Sequence, residues 1–488
     1  MIFKNRWLTL AIVSSALFLI VIDMTVLYTA LPILTQDLAA TASEKLWILN
    51  AYALVVAGLL PGFGTLGDRY GHRRMFLIGL VIFGIASLIA AFAPSPLVLI
   101  AARALLAVGA ASMMPATLSL IRITFDDENE RALAIGIWAA VASGGAAIGP
   151  GVGGVLLAHF WWGSVFLINV PIVITAFLAT LRLIPPSRGH AGIPWDLPSS
   201  LQIMVGLIGI AYAIKEMARR DPAWGMILPA LLLGVLACWL FIRRQLRLAH
   251  PLIDLSLFRI APFSAGVIGA SSAAMVLVGI ELVLSQRLQL VLGLSPLQAA
   301  LFILPIPLAA FVGGPLAGLW LPRLGGMPVL LIGLVLAMLG LAVFLPVQNG
   351  NEIIQIIALS LFGLGLGFAM TAASSTIMLS APRERAGMAA AVEEVSYELG
   401  SALGIAILGS VMSLAYTLSL PAGLPMDPTA YDSLDEALML AEDLPEMAAE
   451  PLIAIARSAF DQSFNWVTGA AIAILGLATL AIGLRSWR

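Results

Sequence analysis

GTLGDRYGHRR, residues 64–74, closes one apolar run (46–66) and leads at once into another (75–93). Each run is long enough to cross a bilayer core of roughly 30 Å as a helix rising about 1.5 Å per residue. The stretch between them reads as a tight loop at a membrane surface: its glycines permit the turn, and Asp68 is available to a helix N-terminus or an arginine. Arg69, Arg73 and Arg74 mark that surface as cytoplasmic. Composition extends the reading to the whole chain, since 61% of the 488 residues are hydrophobic, 11% are charged and the mean hydropathy is +1.03. Soluble globular domains do not reach such values, so an all-α polytopic membrane protein is expected. The net charge of -2 singles out no partner, because the charges belong to loops around a bilayer. A lone cysteine, Cys238, excludes a disulfide framework or a cysteine metal site within the chain.

Working outward, apolar stretches broken by charged or Pro/Gly-rich turns give fourteen spans: 8–31, 46–66, 75–93, 97–121, 132–158, 162–184, 198–217, 224–242, 263–286, 297–320, 327–347, 353–379, 388–418 and 463–485. On this map 18 of the 25 Lys+Arg share one side, so both termini are expected in the cytoplasm. Arg103 alone remains inside the membrane. The long connection 419–462, acidic with an amphipathic middle, lies outside; a short helix, a cation-attracting vestibule and a solvated loop all fit it.

The spacing of Gly64, Asp68, Gly71 and Arg73 resembles the signature loop of the major facilitator superfamily, G-x-L-a-D-r-x-G-r-k, with His72 in place of the usual basic residue. The resemblance implies a gating loop of Gly64, Asp68, Arg69, Gly71 and Arg73 that latches two halves together. GGAAIGPGVGG, residues 144–154, is dense enough in small residues for close helix approach, and Pro150 removes a helical hydrogen bond. It is similar to that superfamily's antiporter motif at Gly145, Gly149, Pro150, Gly153 and Gly154, which implies export. RALLAVGAA around Arg103 resembles a further motif, with Leu106 and Ala107 replacing its glutamine and glycine. Arg103 either biases a nearby acid toward ionisation or pairs with backbone carbonyls.

IDMTVLYTALP (22–32), WWGSVFLINVP (161–171) and AVEEVSYELG (391–400) extend the likeness over nearly the whole chain. They resemble the fourteen-helix drug:proton antiporter family, in the branch that exports methyl viologen and quaternary ammonium cations. Asp23, Glu393, Glu394 and Glu398 fall on that branch's intramembrane acid positions. An acid found in the tenth span of some relatives is missing; Glu281, near the outer end of the ninth span, is either functional or interfacial.

The acids also have a reading of their own. A carboxylate placed in lipid costs about 2.5–3.5 kcal/mol on insertion scales, so each requires a function or a partner. Glu394 and Glu398 are four residues apart and share a helix face, whereas Glu393 points about 100° round from them. Occupation of such acids by either a proton or an organic cation couples the two fluxes. Neutralising Asp23 or Glu394 is then expected to impair divalent substrates more than monovalent ones. Trp47, Tyr52 and Tyr397 are candidate aromatic contacts for a lipophilic cation.

The expected architecture is a major facilitator fold: an N-terminal six-helix bundle (1–190), an inserted helix pair (191–249) and a C-terminal six-helix bundle (250–488). The expected activity is efflux of lipophilic mono- and divalent cations, driven by the proton motive force without cofactor or nucleic-acid partner. The chain is expected to act as a monomer in a bacterial cytoplasmic membrane. Uptake of a cationic metabolite, or a channel, is the alternative. An enzyme is disfavoured, because the four histidines lie at span ends or in loops and neither HExxH nor GxxxxGK[ST] occurs.

Overall fold

The structure, a computed structural model, describes residues 6–40, 42–186, 189, 196–217, 223–248, 251–420, 434, 437–438, 441 and 446–486. Among these, 14 helical spans are long and apolar enough to cross a membrane. In chain order the helices are α1 Arg6–Asp37, α2 Ala42–Tyr70, α3 His72–Ala91, α4 Pro96–Thr124, α5 Glu128–His159, α6 Asn169–Leu183, α7 Leu197–Met217, α8 Trp224–Gln245, α9 Ala261–Gln286, α10 Pro305–Leu324, α11 Gly326–Val347, α12 Glu352–Ser380, α13 Ala386–Ser419 and α14 Glu446–Ser486. Their starts carry the chemistry that frees a chain from its preceding loop. Ser95 caps α4 ahead of Pro96, Asp127 Oδ1 accepts from the Glu130 N–H at 2.9 Å, and Asn351 Oδ1 accepts from the Ile353 N–H at 2.8 Å.

Three spans depart from expectation. The sixth and tenth are broken: a one-turn helix, Ser164–Leu167, precedes α6, and Pro296–Ile303 precedes α10, with Pro305 at the second break. The last helix begins at Glu446, not near 463, so the outer connection is partly helical. Its extension is amphipathic, burying Leu452, Ala456, Ala459 and Phe460. Arg287 Nε at the end of α9 lies 2.8 Å from Asp461 Oδ1, and Arg457 Nε donates to the Leu290 carbonyl at 3.1 Å.

Helices α1–α6 share one apolar core, which continues across the seam into Phe263, Ile377, Met378, Met388 and Val392 of the other half, and α9–α14 share another, joined by Ala132 of α5. They meet along two antiparallel seams, α2 against α13 and α5 against α10. The closest approaches are backbone to backbone: Gly64 against Gly387, and Gly136 against Gly314. Both lie toward the end that bears Arg6, Arg69, Arg74, Arg131 and Arg385, called the basic end below. Helices α7 and α8 pack on each other, and α7 lies over the α2–α13 seam, where Ile203 and Leu207 cluster with Val395 and Leu399. The boundaries expected at 190/191 and 249/250 lie outside the described residues.

Candidate functional site

At the basic end, each residue of the 64–74 loop has a distinct job. A Cβ on Gly64 would strike the Gly387 carbonyl and the Ala391 methyl, so this position sets how closely α2 and α13 approach. Gly71 has φ of 97°, a backbone that glycine adopts without strain, and turns the chain into α3. Asp68 reaches across the seam: Oδ1 accepts from the Gly387 N–H at 2.8 Å and Oδ2 from the Met388 N–H at 3.1 Å. A carboxylate thus caps the positive N-terminus of α13. His72 Nε2 stands 3.3 Å from Asp68 Oδ1, while Arg73 binds the C-terminal carbonyls of α6, with Nη2 2.9 Å from the Leu181 oxygen. Arg69 stacks on the neighbouring Tyr70 ring at 5.3 Å.

Asp23 sits in α1, buried among four helices. Arg103 of α4 donates from Nη1 to its Oδ2 at 2.5 Å, and Asn169 of α6 donates from Nδ2 to its Oδ1 at 2.9 Å. Asn169 occupies the first residue after the break in the sixth span, so the break delivers it; Ser87 lies 3.2 Å from the same amide nitrogen. Arg103 also donates from Nε to the Ile48 carbonyl at 3.4 Å, and its guanidinium lies 4.5 Å over the Tyr52 ring. Of the two readings of Arg103, the geometry supplies both: a carboxylate and a backbone carbonyl.

The antiporter-motif glycines form a stripe against α1 beside Asp23. Cβ atoms at Gly145 and Gly153 would lie 3.2 Å from Val21 and Thr29, and one at Gly149 would collide with the Thr25 hydroxyl. Gly154 faces open space. Helix α5 runs unbroken through position 150; the Pro150 side chain lies outside the described residues.

Across the seam, α13 presents Glu393 and Glu394, 0% and 4% exposed. Glu393 turns toward α12, where the Ser374 hydroxyl donates to its Oε1; Tyr397 lies 3.4 Å from Ser374 and donates to the Met370 carbonyl at 3.3 Å. Glu394 and Glu398 face the other way, within electrostatic reach of Tyr52, which feels Asp23 and Arg103 as well. Tyr52 is 2% exposed and stands between the two sets of charges. Glu393 Oε2, Glu394 Oε1 and the Tyr52 hydroxyl are buried without a hydrogen-bond partner among the described residues. Neither Glu393 nor Glu394 forms an ion pair there.

Two candidates stand apart. The parallel α9–α13 register, Met275 at Gly404 and Gly279 at Leu408, puts Glu281 roughly 20 Å along α13 from Glu394. Trp47, 42% exposed, stacks on Tyr212 of α7 with centroids 6.1 Å apart, on a different face of α2 from Tyr52. Sequence reasoning missed Asn169, Ser87 and Ser374, although each is a polar residue inside an apolar run.

Residues 13–405 match the family model of the Major Facilitator Superfamily. The chain is 41% identical to the methyl viologen resistance protein SmvA of Salmonella typhimurium (strain LT2), over 99% of this chain and 98% of that protein. It is 40% identical to the multidrug efflux pump LfrA of Mycolicibacterium smegmatis, over 98% and 95%. In fold it is similar to the human organic anion transporter MFSD10 (TM-score 0.65, 13% identity, 97% of this chain and 100% of that one). The proton:xylose symporter XylE gives a TM-score of 0.60 at 14% identity, over 98% and 95%. The chain belongs to the major facilitator superfamily and, within it, to the drug exporters: a multi-pass transporter, not an enzyme.

Proposed function

We propose that the protein is a proton-coupled antiporter that exports lipophilic mono- and divalent organic cations, such as quaternary ammonium compounds, methyl viologen, dyes and biguanide-type biocides. The observation that carries this reading is the contrast between the two acid sites. Asp23 is matched by Arg103, whereas Glu393 and Glu394 are buried, each with an oxygen that has no hydrogen-bond partner among the described residues. A carboxyl group in such a place is neutralised either by a proton or by a cation. Binding an organic cation at Glu394 releases its proton to water, and a proton arriving from the other side later displaces the cation. Rocking of the two bundles about the seam supplies alternating access, powered by the proton motive force without a cofactor. The names of the SmvA and LfrA relatives support the direction and the substrate class. On this reading the chain is a monomer in a bacterial cytoplasmic membrane, with both termini in the cytoplasm.

The test is proton release from the purified, detergent-solubilised protein in weak buffer when a quaternary ammonium or viologen cation is added, with Glu394→Gln alongside. Release that shrinks in the variant is expected. Tight cation binding with no release would reject acid-mediated exchange in favour of uniport or a channel.

A further inference from the structure

Asp68 is not the only charge that crosses the seam at the basic end. Arg122, near the C-terminal end of α4, is 7% exposed, and its Nη2 donates to the Ala381 carbonyl. Ala381 is the residue on which α12 ends, just ahead of the α13 N-terminus that Asp68 holds. A helix leaves its last carbonyls unsatisfied and carries partial negative charge there, as its N-terminus carries partial positive charge. The first bundle thus offers an arginine to the negative end of α12 and an aspartate to the positive end of α13, the two helices joined by the turn at 381–385.

Arg131 and Arg383 lie within electrostatic reach of Arg122 and oppose it, against Glu384 and Asp68, which favour it. Its Nη1 is buried without a partner among the described residues. Arg131 is itself occupied by the Phe125 and Asp126 carbonyls and by Glu128. An ion pair also crosses the seam, Arg383 with Asp126 at 3.6 Å, but it is 64% exposed on both sides and worth little. A contact that is charge-assisted yet opposed by two nearby arginines suits a latch that must form and break in each cycle.

We propose that Arg122 is a positioning residue for alternating access, the second arm of the latch that holds the two bundles together at the basic end. The inference rests on the alternating-access part of the reading above, and not on the identity of the cargo. The experiment uses the full chain in a Cys238→Ser background, with spin labels at Arg74→Cys on α3 and Arg323→Cys on α10, both exposed at the basic end of opposite bundles. Double electron–electron resonance is measured without substrate, so failure of cation–proton exchange would leave the result intact.

The parent protein is expected to show mainly the short-distance population. Arg122→Gln, having lost a charged hydrogen bond, is expected to raise the ratio of long- to short-distance populations about tenfold, as is Asp68→Asn. Arg122→Met, of similar length, serves if Arg122→Gln does not fold, and Arg122→Lys is expected to fall between parent and Arg122→Gln. A distance distribution unchanged by Arg122→Gln or Arg122→Met, while Asp68→Asn shifts it, would overturn the proposal.

Discussion

Asp23 and Arg103 neutralise each other inside the first bundle, Nη1 to Oδ2 at 2.5 Å, with side chains 0% and 2% exposed. Removing one partner from so deeply buried a pair leaves an uncompensated charge and costs about 3–5 kcal/mol, more than the pair contributes when intact. Arg103→Gln is therefore expected to lower the thermal midpoint of the detergent-solubilised protein more than the double variant Asp23→Asn/Arg103→Gln. Equal midpoints for the single and double variants would show that the two charges are not coupled.

The glycine stripe gives a sharper contrast within one motif. At Gly149 a side chain would meet the Thr25 hydroxyl, two residues from Asp23, whereas at Gly154 it would meet nothing within 4 Å. Gly149→Val is expected to push α1 and its carboxylate away from Arg103 and to cut efflux by an order of magnitude or more. Gly154→Ala is expected to leave efflux within about twofold, as surface changes away from tight contacts usually do. Efflux of a fluorescent cation from loaded cells measures both, and equal losses would reject the packing account of the motif.

Length and apolarity made the fourteen spans legible, because a bilayer imposes one thickness on every helix. Asp23 and the α13 glutamates were legible for the complementary reason: an acid in an apolar run is expensive. The partners were not. Arg103 is 80 residues from Asp23, and Asn169 is 146 away, so nothing local announces that they meet. Asn169 in particular reaches Asp23 only because the sixth span breaks before it. The extension of α14 was legible only as an amphipathic stretch, since its apolar stripe is too sparse to read as part of a span.

Outside the membrane, Asp196 ties the inserted pair together, accepting from Arg244 Nε at 2.7 Å and Nη2 at 3.0 Å. The Arg244 hydrogen bond holds its carboxyl below the usual range; burial works against this and Ser199 assists. A group bound less tightly by protons in the folded state stabilises that state above its unfolded value of about 3.9 and loses the effect as pH falls through the lowered native value. The thermal midpoint of Asp196→Asn should lie modestly below wild type from neutral pH down to about pH 5, with the gap closing under more acid conditions. A gap that widens on acidification would contradict the sign.

Charge accounting separates the acids by substrate. The membrane potential acts at about 2.3 kcal/mol per charge per 100 mV, so a monocation leaving for one proton feels only the pH gradient. A dication leaving for one proton runs against the potential; two protons cancel it and three exploit it. The sequence alone treats Asp23 and Glu394 as equivalent in this respect, but their surroundings differ. Glu394 shares the seam with Glu393 and Glu398 and has no arginine bound to it among the described residues, so Glu394→Gln removes a charge and a proton site that a dication needs. Asp23→Asn instead leaves the Arg103 cation uncompensated over Tyr52, the ring that also feels Glu394 and Glu398, where it opposes every cationic substrate. In inverted membrane vesicles, Glu394→Gln is expected to lower transport of methyl viologen at least about tenfold relative to a monovalent quaternary ammonium ion, a change of about 1.4 kcal/mol in selectivity. Asp23→Asn should reduce both together and leave their ratio within about twofold. An unchanged ratio in Glu394→Gln would place the second positive charge of the dication elsewhere in the seam.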